Sequence, residues 1–438
     1  AFRTDLYNNS DAHWSSETYA QILQTKSEID GRLYTDSVKY PGFGRRGAAL
    51  LHSCLPDSVE ALQKYPDGST HNSFTGDCDL VNGVYKDVLS GFLAPLTEEW
   101  NGTPEENARM IRTMCRYFDG YDVRFWPSMR NLKKILNTHM CDDLVNFTSK
   151  VRKYVFRDVD KPYVTDTEAV IPNKFKYAII LATGDTHSTL SLPMSAQEAA
   201  SIAMFHGCFR ANYPQLGIQR FLGNLGFSSV GGSARRGLGQ HVAAAVCSGF
   251  GELGRMQQVM QAGFSGADWI GTTRIILTDL PLPTSNPIDA GMAKFCETCL
   301  KCANVCPSGA IQKTPEPTWD ISSDSSNPDL KPMLFNNPGK KSWYYNHARC
   351  ARWMNEHAGF CGLCSASCVF NKQPYSSVHE VILGVVGNTS IFNSFFTKVD
   401  GAFGYGKYEV NVETHAGDDF WDLEYDMPIW GVDRSADK

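Results

Sequence analysis

The stretch that decides the fold is residues 296–307, which read CETCLKCANVCP. Its cysteines are separated by two, two and three residues, and a proline follows the last of them: Cys296, Cys299, Cys302 and Cys306. Four more cysteines come later, with gaps of ten, two and three residues: Cys350, Cys361, Cys364 and Cys368. More than half of the 14 cysteines of the chain therefore lie in one short segment, which indicates a shared role.

The spacing of the first run is typical of bacterial ferredoxins, in which three close thiolates bind one [4Fe–4S] cluster and the fourth ligates a neighbouring cluster. Short gaps let the backbone wrap a cluster so that its amides reach the sulfurs, and the proline ends the ligand loop. The interleaving predicts two clusters. The first is held by Cys296, Cys299, Cys302 and Cys368, and the second by Cys306, Cys350, Cys361 and Cys364.

Other uses of the cysteines stay open. C-x2-C pairs also form four-thiolate zinc sites, although zinc has no need of a third cysteine at the same spacing, followed by a fourth and a proline. A disulfide framework would cross-link only one short segment of a 438-residue chain. The scattered cysteines are expected to be small buried hydrophobic residues: Cys54, Cys78, Cys115, Cys141, Cys208 and Cys247.

The composition is that of a globular chain with room for two or three domains. Hydrophobic residues make up 42% of the chain and charged residues 20%, and the net charge is −6. Because such a chain lacks the basic surface that neutralises phosphates, no nucleic-acid partner is expected. Apolar runs such as residues 177–182 are far shorter than the about 20 residues that span a bilayer. The chain begins at Ala1, which is compatible with removal of a targeting segment.

Sequence motifs around the cysteines resemble those of one family. TDLPL at residues 278–282 and PID at 287–289 precede the first run, and GELGR at 251–255 and RFLGNLGF at 220–227 lie further upstream. With both cysteine sets, these motifs resemble the corrinoid- and iron–sulfur-dependent reductive dehalogenases of organohalide-respiring bacteria. Within that family, the chain is most similar to the branch that acts on chlorinated methanes and ethanes such as chloroform.

The resemblance implies an α+β or α/β fold. A nitroreductase-like core would bind a cobalamin-type corrinoid in its base-off form, and a bacterial ferredoxin-like domain would hold the two [4Fe–4S] clusters. The implied layout is an N-terminal mixed region (1–165), the corrinoid-binding core (166–285), the ferredoxin-like domain (286–375) and a C-terminal segment that packs on the core (376–438). The D-x-H-x-x-G signature of His-ligated cobalamin is absent, so no His ligand to cobalt is expected.

The family also implies an acid pair. Removal of halide by two electrons leaves a carbon that must be protonated, and a phenol beside a cation is a suitable donor, because the cation lowers the pKa of the phenol. The resemblance assigns these roles to Tyr213 and Arg274, with a gap in the register before Phe227. Two alternatives remain: Tyr213 as a core aromatic at a helix start, next to Pro214, and Arg274 as a structural salt-bridge residue.

The resemblance further implies partners and a location. These are a small halogenated hydrocarbon, an electron donor of a respiratory chain and a small membrane-anchor protein. The protein would lie peripherally on the outer face of the cytoplasmic membrane, after export with an N-terminal signal absent from this chain. Two other classes stay open: an epoxyqueuosine-reductase-like or other corrinoid iron–sulfur enzyme, and an electron-transfer subunit without a substrate of its own.

Local patterns predict several elements. Thr103 and Pro104 open a helix near 104–118, a second helix is expected near 127–137, and a strand near 175–181 begins the α/β core. Three further features have both a structural and a functional interpretation; the two are balanced for a glycine-rich loop, whereas the structural one is favoured for the tryptophans and histidines. They are the glycine-rich residues 231–239 as a phosphate cradle, the walls of a halocarbon pocket at Trp14, Trp100 and Trp126, and the histidines His206 and His241.

Overall fold

The computed structural model describes residues 100–126, 129–141, 151–183, 206–208, 210–232, 238–261, 267–268, 273–319, 341–346, 349–350, 353–354, 361–370, 385, 395 and 398. Helices and strands both occur there, which confirms the mixed α/β content. The helices are α1 (Pro104–Tyr117), α2 (Met129–Leu132), α3 (Asn212–Asn224), α4 (His241–Ser248), α5 (Met292–Thr298), α6 (Lys301–Val305) and α7 (Leu363–Ala366). The strands are β1 (Asp122–Trp126), β2 (His139–Cys141), β3 (Val151–Arg157), β4 (Tyr163–Val164), β5 (Glu168–Pro172), β6 (Tyr177–Ala182), β7 (Ser229–Val230), β8 (Gly251–Leu253), β9 (Val259–Gln261), β10 (Ala267–Asp268) and β11 (Thr273–Thr278).

Four strands form the central sheet in the order β1-β6-β11-β7, and each neighbouring pair is antiparallel. Strand β6 is internal, with Ile180 opposite Arg124 on one side and Ile275 on the other. Its sequence, YAIILA, is a continuous apolar run. Such a run is expected where both faces of a sheet are covered, and the predicted strand at 175–181 is confirmed as β6.

The two faces of β6 belong to two cores. Ala178 and Ile180 lie in a core shared with α4, whereas Ile179 and Leu181 lie in a core shared with α1 and α3. Successive side chains of a strand point to opposite faces, which explains the division. All four side chains are fully buried, so the central sheet is the middle of three layers.

Helix α1 begins as its sequence predicts. The Thr103 hydroxyl accepts a hydrogen bond from the Glu106 N–H at 3.3 Å, and the Thr103 N–H donates to the Glu106 carboxylate at 2.8 Å. Pro104 takes the first helical position, where its missing N–H leaves no donor unsatisfied. Cys115, in the same helix, is fully buried against the central sheet, and Cys208 is buried as well. Both are small buried residues, as expected.

Two smaller sheets accompany the central one. In the first, with the order β2-β3-β5-β4, strands β3 and β5 are parallel; in the second, β10-β9-β8, the pairs are antiparallel. Strands β1 and β3 come from the N-terminal region 1–165, and they pair with β6 and β5 from the core region 166–285. The two regions are therefore joined by shared sheets.

The proline-rich residues 279–291 are fixed to the core. The Asn107 side-chain amide donates to the Pro281 carbonyl at 2.9 Å, and the Phe125 N–H donates to the Ser285 hydroxyl at 2.9 Å. Leu280 and Leu282 are buried. The segment is thus a packed strap that sets where the cysteine-rich part begins.

Several sequence predictions fall on residues that the structure does not describe. These are Trp14, Cys54, Cys78, the C-terminal segment beyond residue 398, and residues 233–237 of the glycine-rich stretch. Within the described residues, no helix is both long enough and apolar enough to cross a membrane.

Candidate functional site

Three short helices bring the cysteine sets together. Cys296 lies in α5, Cys302 in α6 and Cys364 in α7, while Cys299 and Cys306 directly follow α5 and α6 in extended conformation. Because each helix ends after about two turns or less, the chain turns back and returns its cysteines to one small volume. Helices α6 and α7 pack against each other, so the two sets meet there.

The thiols form two groups by their electrostatic interactions, each with four members. The first group comprises Cys296, Cys299, Cys302 and Cys368, which interact with one another. The second comprises Cys306, Cys350, Cys361 and Cys364. Cys364 also interacts with Cys302 of the first group. The structure thus brings together the members of each set expected from the spacing and places the two groups side by side.

Polar donors reach the sulfurs of the second group. The Ala310 N–H donates to the Cys306 sulfur at 3.3 Å, and the Ser308 hydroxyl lies 3.3 Å from the same atom. Burial raises the pKa of Cys350 to about 11, and a hydrogen bond from the Tyr345 side chain opposes that rise. Donors of this kind favour a thiolate over a thiol and are typical around cluster ligands. The donor set therefore fits an iron–sulfur cluster.

Four further thiols are deeply buried. Burial raises the pKa of Cys296 and of Cys361 to about 12, and it raises the pKa of Cys302 and of Cys364 well above the ordinary value. Such groups ionise at neutral pH only when a bound cation replaces their protons. Across the part of the chain that the structure describes, no three His, Cys, Asp or Glu side chains are arranged to hold a single metal ion.

The β8–β9 hairpin, residues 251–261, fixes the cysteine-rich part to the core. The Glu252 carboxylate accepts hydrogen bonds from the N–H groups of Ala290 and Met292, at 2.8 and 3.1 Å, where α5 begins. The Gln258 side-chain amide donates to the Cys364 sulfur at 3.8 Å, and its carbonyl oxygen accepts from the Ser365 hydroxyl at 2.6 Å. One hairpin of the core therefore contacts the start of the first set and a ligand position of the second.

The two residues of the expected acid pair differ in burial. Arg274, in β11, is fully buried, and its guanidinium donates to the Cys208 carbonyl at 2.8 Å and to the Asn212 side-chain oxygen at 3.0 Å. Tyr213, the second residue of α3, is 55% exposed, and its ring meets Phe118 edge-on at 5.5 Å. The exposure excludes Tyr213 as a core aromatic. Arg274 reaches the start of α3 through Asn212, next to Tyr213 in the chain.

A buried polar pair lies where the glycine-rich stretch begins. The Gln215 side-chain amide donates to the Gln219 side-chain oxygen at 3.1 Å, and both residues are buried. A side chain at Gly231 would come within 2.7 Å of that Gln219 oxygen, so glycine lets the backbone approach the pair. The residues that can be described do not by themselves outline a corrinoid pocket.

Three other candidates have structural surroundings. Burial, with a smaller contribution from Arg210, lowers the pKa of His206 to about 4, so this imidazole is neutral at pH 7. The Trp100 indole N–H donates to the Asn107 side-chain oxygen at 2.7 Å, and Trp126 packs against the core on the α4 side of the sheet. These contacts give the two tryptophans structural roles.

The fold and the thiols define a class of protein: a candidate iron–sulfur protein in which two four-cysteine groups are fixed to a three-layered α/β core. Comparison with known proteins narrows the class. The chain is 29% identical to the trichloroethene reductive dehalogenase of Dehalococcoides mccartyi strain 195, in an alignment that covers 91% of this chain and 79% of the relative. It is 28% identical to the chloroethene reductive dehalogenase of Dehalococcoides mccartyi strain VS, over 92% of this chain and 73% of the relative. Over most of its length, the chain is therefore similar to reductive dehalogenases.

Other comparisons are consistent with this. The chain is 30% identical to the tetrachloroethene reductive dehalogenase of Sulfurospirillum multivorans, over 58% of this chain and 46% of the relative. Searches found no family model that matches the chain.

Two solved structures share the fold. One is a reductive dehalogenase whose structure suggests a mechanism for B12-dependent dehalogenation, with a TM-score of 0.53 and 17% identity over 74% of this chain and 40% of that one. The other is a catabolic reductive dehalogenase, with a TM-score of 0.58 and 15% identity over 94% of this chain and 47% of that one. The chain spans less than half of the length of each solved protein.

The sequence pointed to the thiols but not to the groups around them. Gln258 and Tyr345 reach ligand sulfurs, and Asn212 accepts from the Arg274 guanidinium. Residues 251–255 were noted only as a motif, although Glu252 in that motif anchors α5. The only feature of the sequence that could have indicated this role is the charged Glu252 between Gly251 and Gly254.

Proposed function

We propose that this chain is a reductive dehalogenase that replaces a halogen of a small organohalide with hydrogen. The net reaction consumes two electrons and one proton and releases one halide ion. The observation that carries the proposal is the pair of four-thiol groups fixed to an α/β core, in a chain homologous to proteins named reductive dehalogenases. The eight cysteines would ligate two [4Fe–4S] clusters in a ferredoxin-like domain, with the groups described above as ligand sets.

The second proposed cofactor is a cobalamin-type corrinoid, bound base-off in a nitroreductase-like core. It would supply a cobalt whose reduced form reacts with carbon–halogen bonds. Support comes from the resemblance of the motifs, from the missing D-x-H-x-x-G signature and from the buried polar pair beside Gly231.

Tyr213 is proposed as the proton source and Arg274 as the cation that prepares it. The phenol must release a proton from its hydroxyl to the carbon that loses halide, and a nearby guanidinium stabilises the phenolate that remains. Arg274 can serve from a fixed position, because the Cys208 carbonyl and the Asn212 side chain hold its guanidinium at the start of α3. The exposed ring of Tyr213 is held by its edge-on contact with Phe118.

The proposed substrate is a chlorinated methane or ethane such as chloroform, which follows from the motif resemblance. Relatives of the chain are named for chlorinated ethenes. Both groups are small apolar halocarbons, so a substrate panel separates them.

Electrons are proposed to come from a donor of a respiratory chain, and the protein is proposed to lie peripherally on the outer face of the cytoplasmic membrane with a small anchor protein. These proposals rest on the resemblance alone.

Chloride release tests the proposed function. The anaerobic protein, loaded with iron, sulfide and cobalamin, is given a reduced viologen and a panel of chlorinated methanes, ethanes and ethenes. We expect cobalamin-dependent chloride release that is fastest with a chlorinated methane or ethane. Faster turnover of a chlorinated ethene would change the proposed substrate class to the ethenes. The absence of chloride release from every compound would refute the proposed dehalogenase function.

A further inference from the structure

Arg255, like Arg274, is a buried charge of the described structure. It lies in the turn of the β8–β9 hairpin and is only 1% exposed. An ionised side chain so far from water is stable only when opposite charge or many hydrogen bonds compensate for lost solvation.

The compensation comes from the cysteine-rich part. The guanidinium donates to the carbonyls of Cys296, at 3.1 Å, and Cys299, at 3.2 Å, and both residues are members of the first group. It also donates to the carbonyls of Gln312 and Thr314, at 2.9 and 2.7 Å. Arg255 therefore ties both sides of the ligand loop to the core hairpin.

Its positive charge has no carboxylate partner among the described ion pairs. The Trp343 ring lies 4.5 Å from the guanidinium carbon, and carbonyl dipoles supply only partial negative charge. The thiols that interact electrostatically with Arg255 are Cys296, Cys302 and Cys299, all in the first group. Lys301 also interacts with members of that group, from a less buried position.

The second group has a different environment. The described polar groups at its sulfurs are all neutral: the Gln258 amide, the backbone N–H groups of Ala310 and Leu363, and the hydroxyls of Ser308 and Tyr345. Net charge, hydrogen bonds and solvent exposure set the reduction potential of a cluster. The buried positive charge of Arg255 therefore favours reduction of a cluster in the first group over one in the second group.

We propose that Arg255 is a positioning residue and the internal counter-charge of the first cluster, so that electrons entering the protein settle on that cluster in preference to the second. This inference rests on the proposed function for the presence of two clusters. Reduction adds one electron to a cluster and makes its charge more negative by one unit, with no bond formed or broken. A fixed cation in a low-dielectric interior stabilises that added charge.

A redox titration of the anaerobic, cluster-loaded protein, followed by EPR spectroscopy with dithionite as reductant, tests the proposal. Arg255→Gln keeps hydrogen-bond donors but removes the charge, and Arg255→Lys keeps the charge. At a fixed poised potential, Arg255→Gln should lower the reduced-to-oxidised ratio of one cluster at least tenfold, about 59 mV for a one-electron couple. Arg255→Lys should stay within about threefold of the wild-type ratio.

Two controls fix the interpretation. Lys313→Met removes an exposed cation beside Gln312 and should leave both ratios unchanged, because solvent screens surface charge. Gln258→Leu removes a hydrogen-bond donor to Cys364 and should shift the reduced-to-oxidised ratio of the second cluster. Full iron content with an unshifted ratio in Arg255→Gln would overturn the proposal while leaving the proposed function intact. Wild-type protein that binds no iron would instead refute the proposed function.

The wild-type protein provides a second measurement if Arg255→Gln does not load iron. The cluster that is reduced first should be missing in Cys299→Ser and present in Cys361→Ser. The reverse assignment, or two clusters of equal potential, contradicts the proposal.

Discussion

Replacing the phenol of Tyr213 by a phenyl ring separates catalysis from structure at the proposed acid. Tyr213→Phe removes one oxygen from a side chain that is 55% exposed and keeps the ring that contacts Phe118 at 5.5 Å. A surface change of this kind alters the free energy of unfolding by about 0.5 kcal/mol or less. Both cofactors should therefore remain bound.

Turnover should respond differently. A general acid contributes about 100-fold to 10,000-fold to a rate. This range corresponds to about 3 to 5 kcal/mol of transition-state stabilisation, several times the expected change in stability. Tyr213→Phe should lower the rate of chloride release by about 100-fold to 10,000-fold. Its iron content and thermal unfolding should stay at wild-type values.

The chain offers a matched control. Tyr117 is 76% exposed, and its ring meets the same Phe118 edge-on at 5.4 Å. Tyr117→Phe therefore makes the same chemical change against the same neighbour and should leave chloride release unchanged. Wild-type turnover by Tyr213→Phe, or equal losses in both variants, would remove Tyr213 from the mechanism.

Three further outcomes are expected. Cys302→Ala should reduce the iron content from about eight to about four atoms per chain and destabilise the cysteine-rich part, because thiolate ligation contributes to folding. His206 has its pKa lowered from 6.5 to about 4, so the unfolded chain binds more protons between these values and stability falls as the pH falls. The free energy of unfolding should be about 2 kcal/mol smaller at pH 5 than at pH 8, a difference that His206→Gln should remove. Ile180→Ala, at a fully buried position of β6, should cost about 2 to 5 kcal/mol in chemical denaturation.

Each of these three predictions has its own control or contradicting outcome. Cys115→Ala also truncates a buried cysteine but lies in the core of α1, so it should keep all the iron; equal losses in both variants would contradict the ligand assignment. An unchanged pH dependence in His206→Gln would assign that dependence to other groups. Ile288 is 39% exposed, and Ile288→Ala should change stability by no more than about 0.5 kcal/mol.

Local features of the fold could be predicted from the sequence because their causes are local. The cap of α1 needs only Thr103 and Glu106, and the apolar run of β6 needs only that both sheet faces are covered. The order β1-β6-β11-β7 could not be predicted, since it joins strands far apart in the chain and depends on packing. Gly249 shows the same limit: its backbone has φ 83° and faces the Asn286 carbonyl, a contact absent from any local pattern.

The candidate site divides in the same way. The ferredoxin spacing predicts the eight cysteines and their two sets, in which Cys368 joins the first set from far along the chain and Cys306 joins the second. It gave no indication of the groups that reach the ligands from elsewhere, such as Arg255, which binds the Cys296 carbonyl across about forty residues of chain. For Tyr213 and Arg274, the resemblance supplied roles, whereas the contact through Asn212 required the fold.

The most direct test measures electrons and halide in the same sample. Anaerobic protein carrying iron and cobalamin is reduced, freed of excess reductant and mixed with the chlorinated substrate, while cluster signals and chloride are followed together. Substrate should reoxidise the clusters and release one chloride for every two electrons lost. Chloride-free reoxidation, clusters that stay reduced, or protein that holds zinc in place of iron would contradict the assignment.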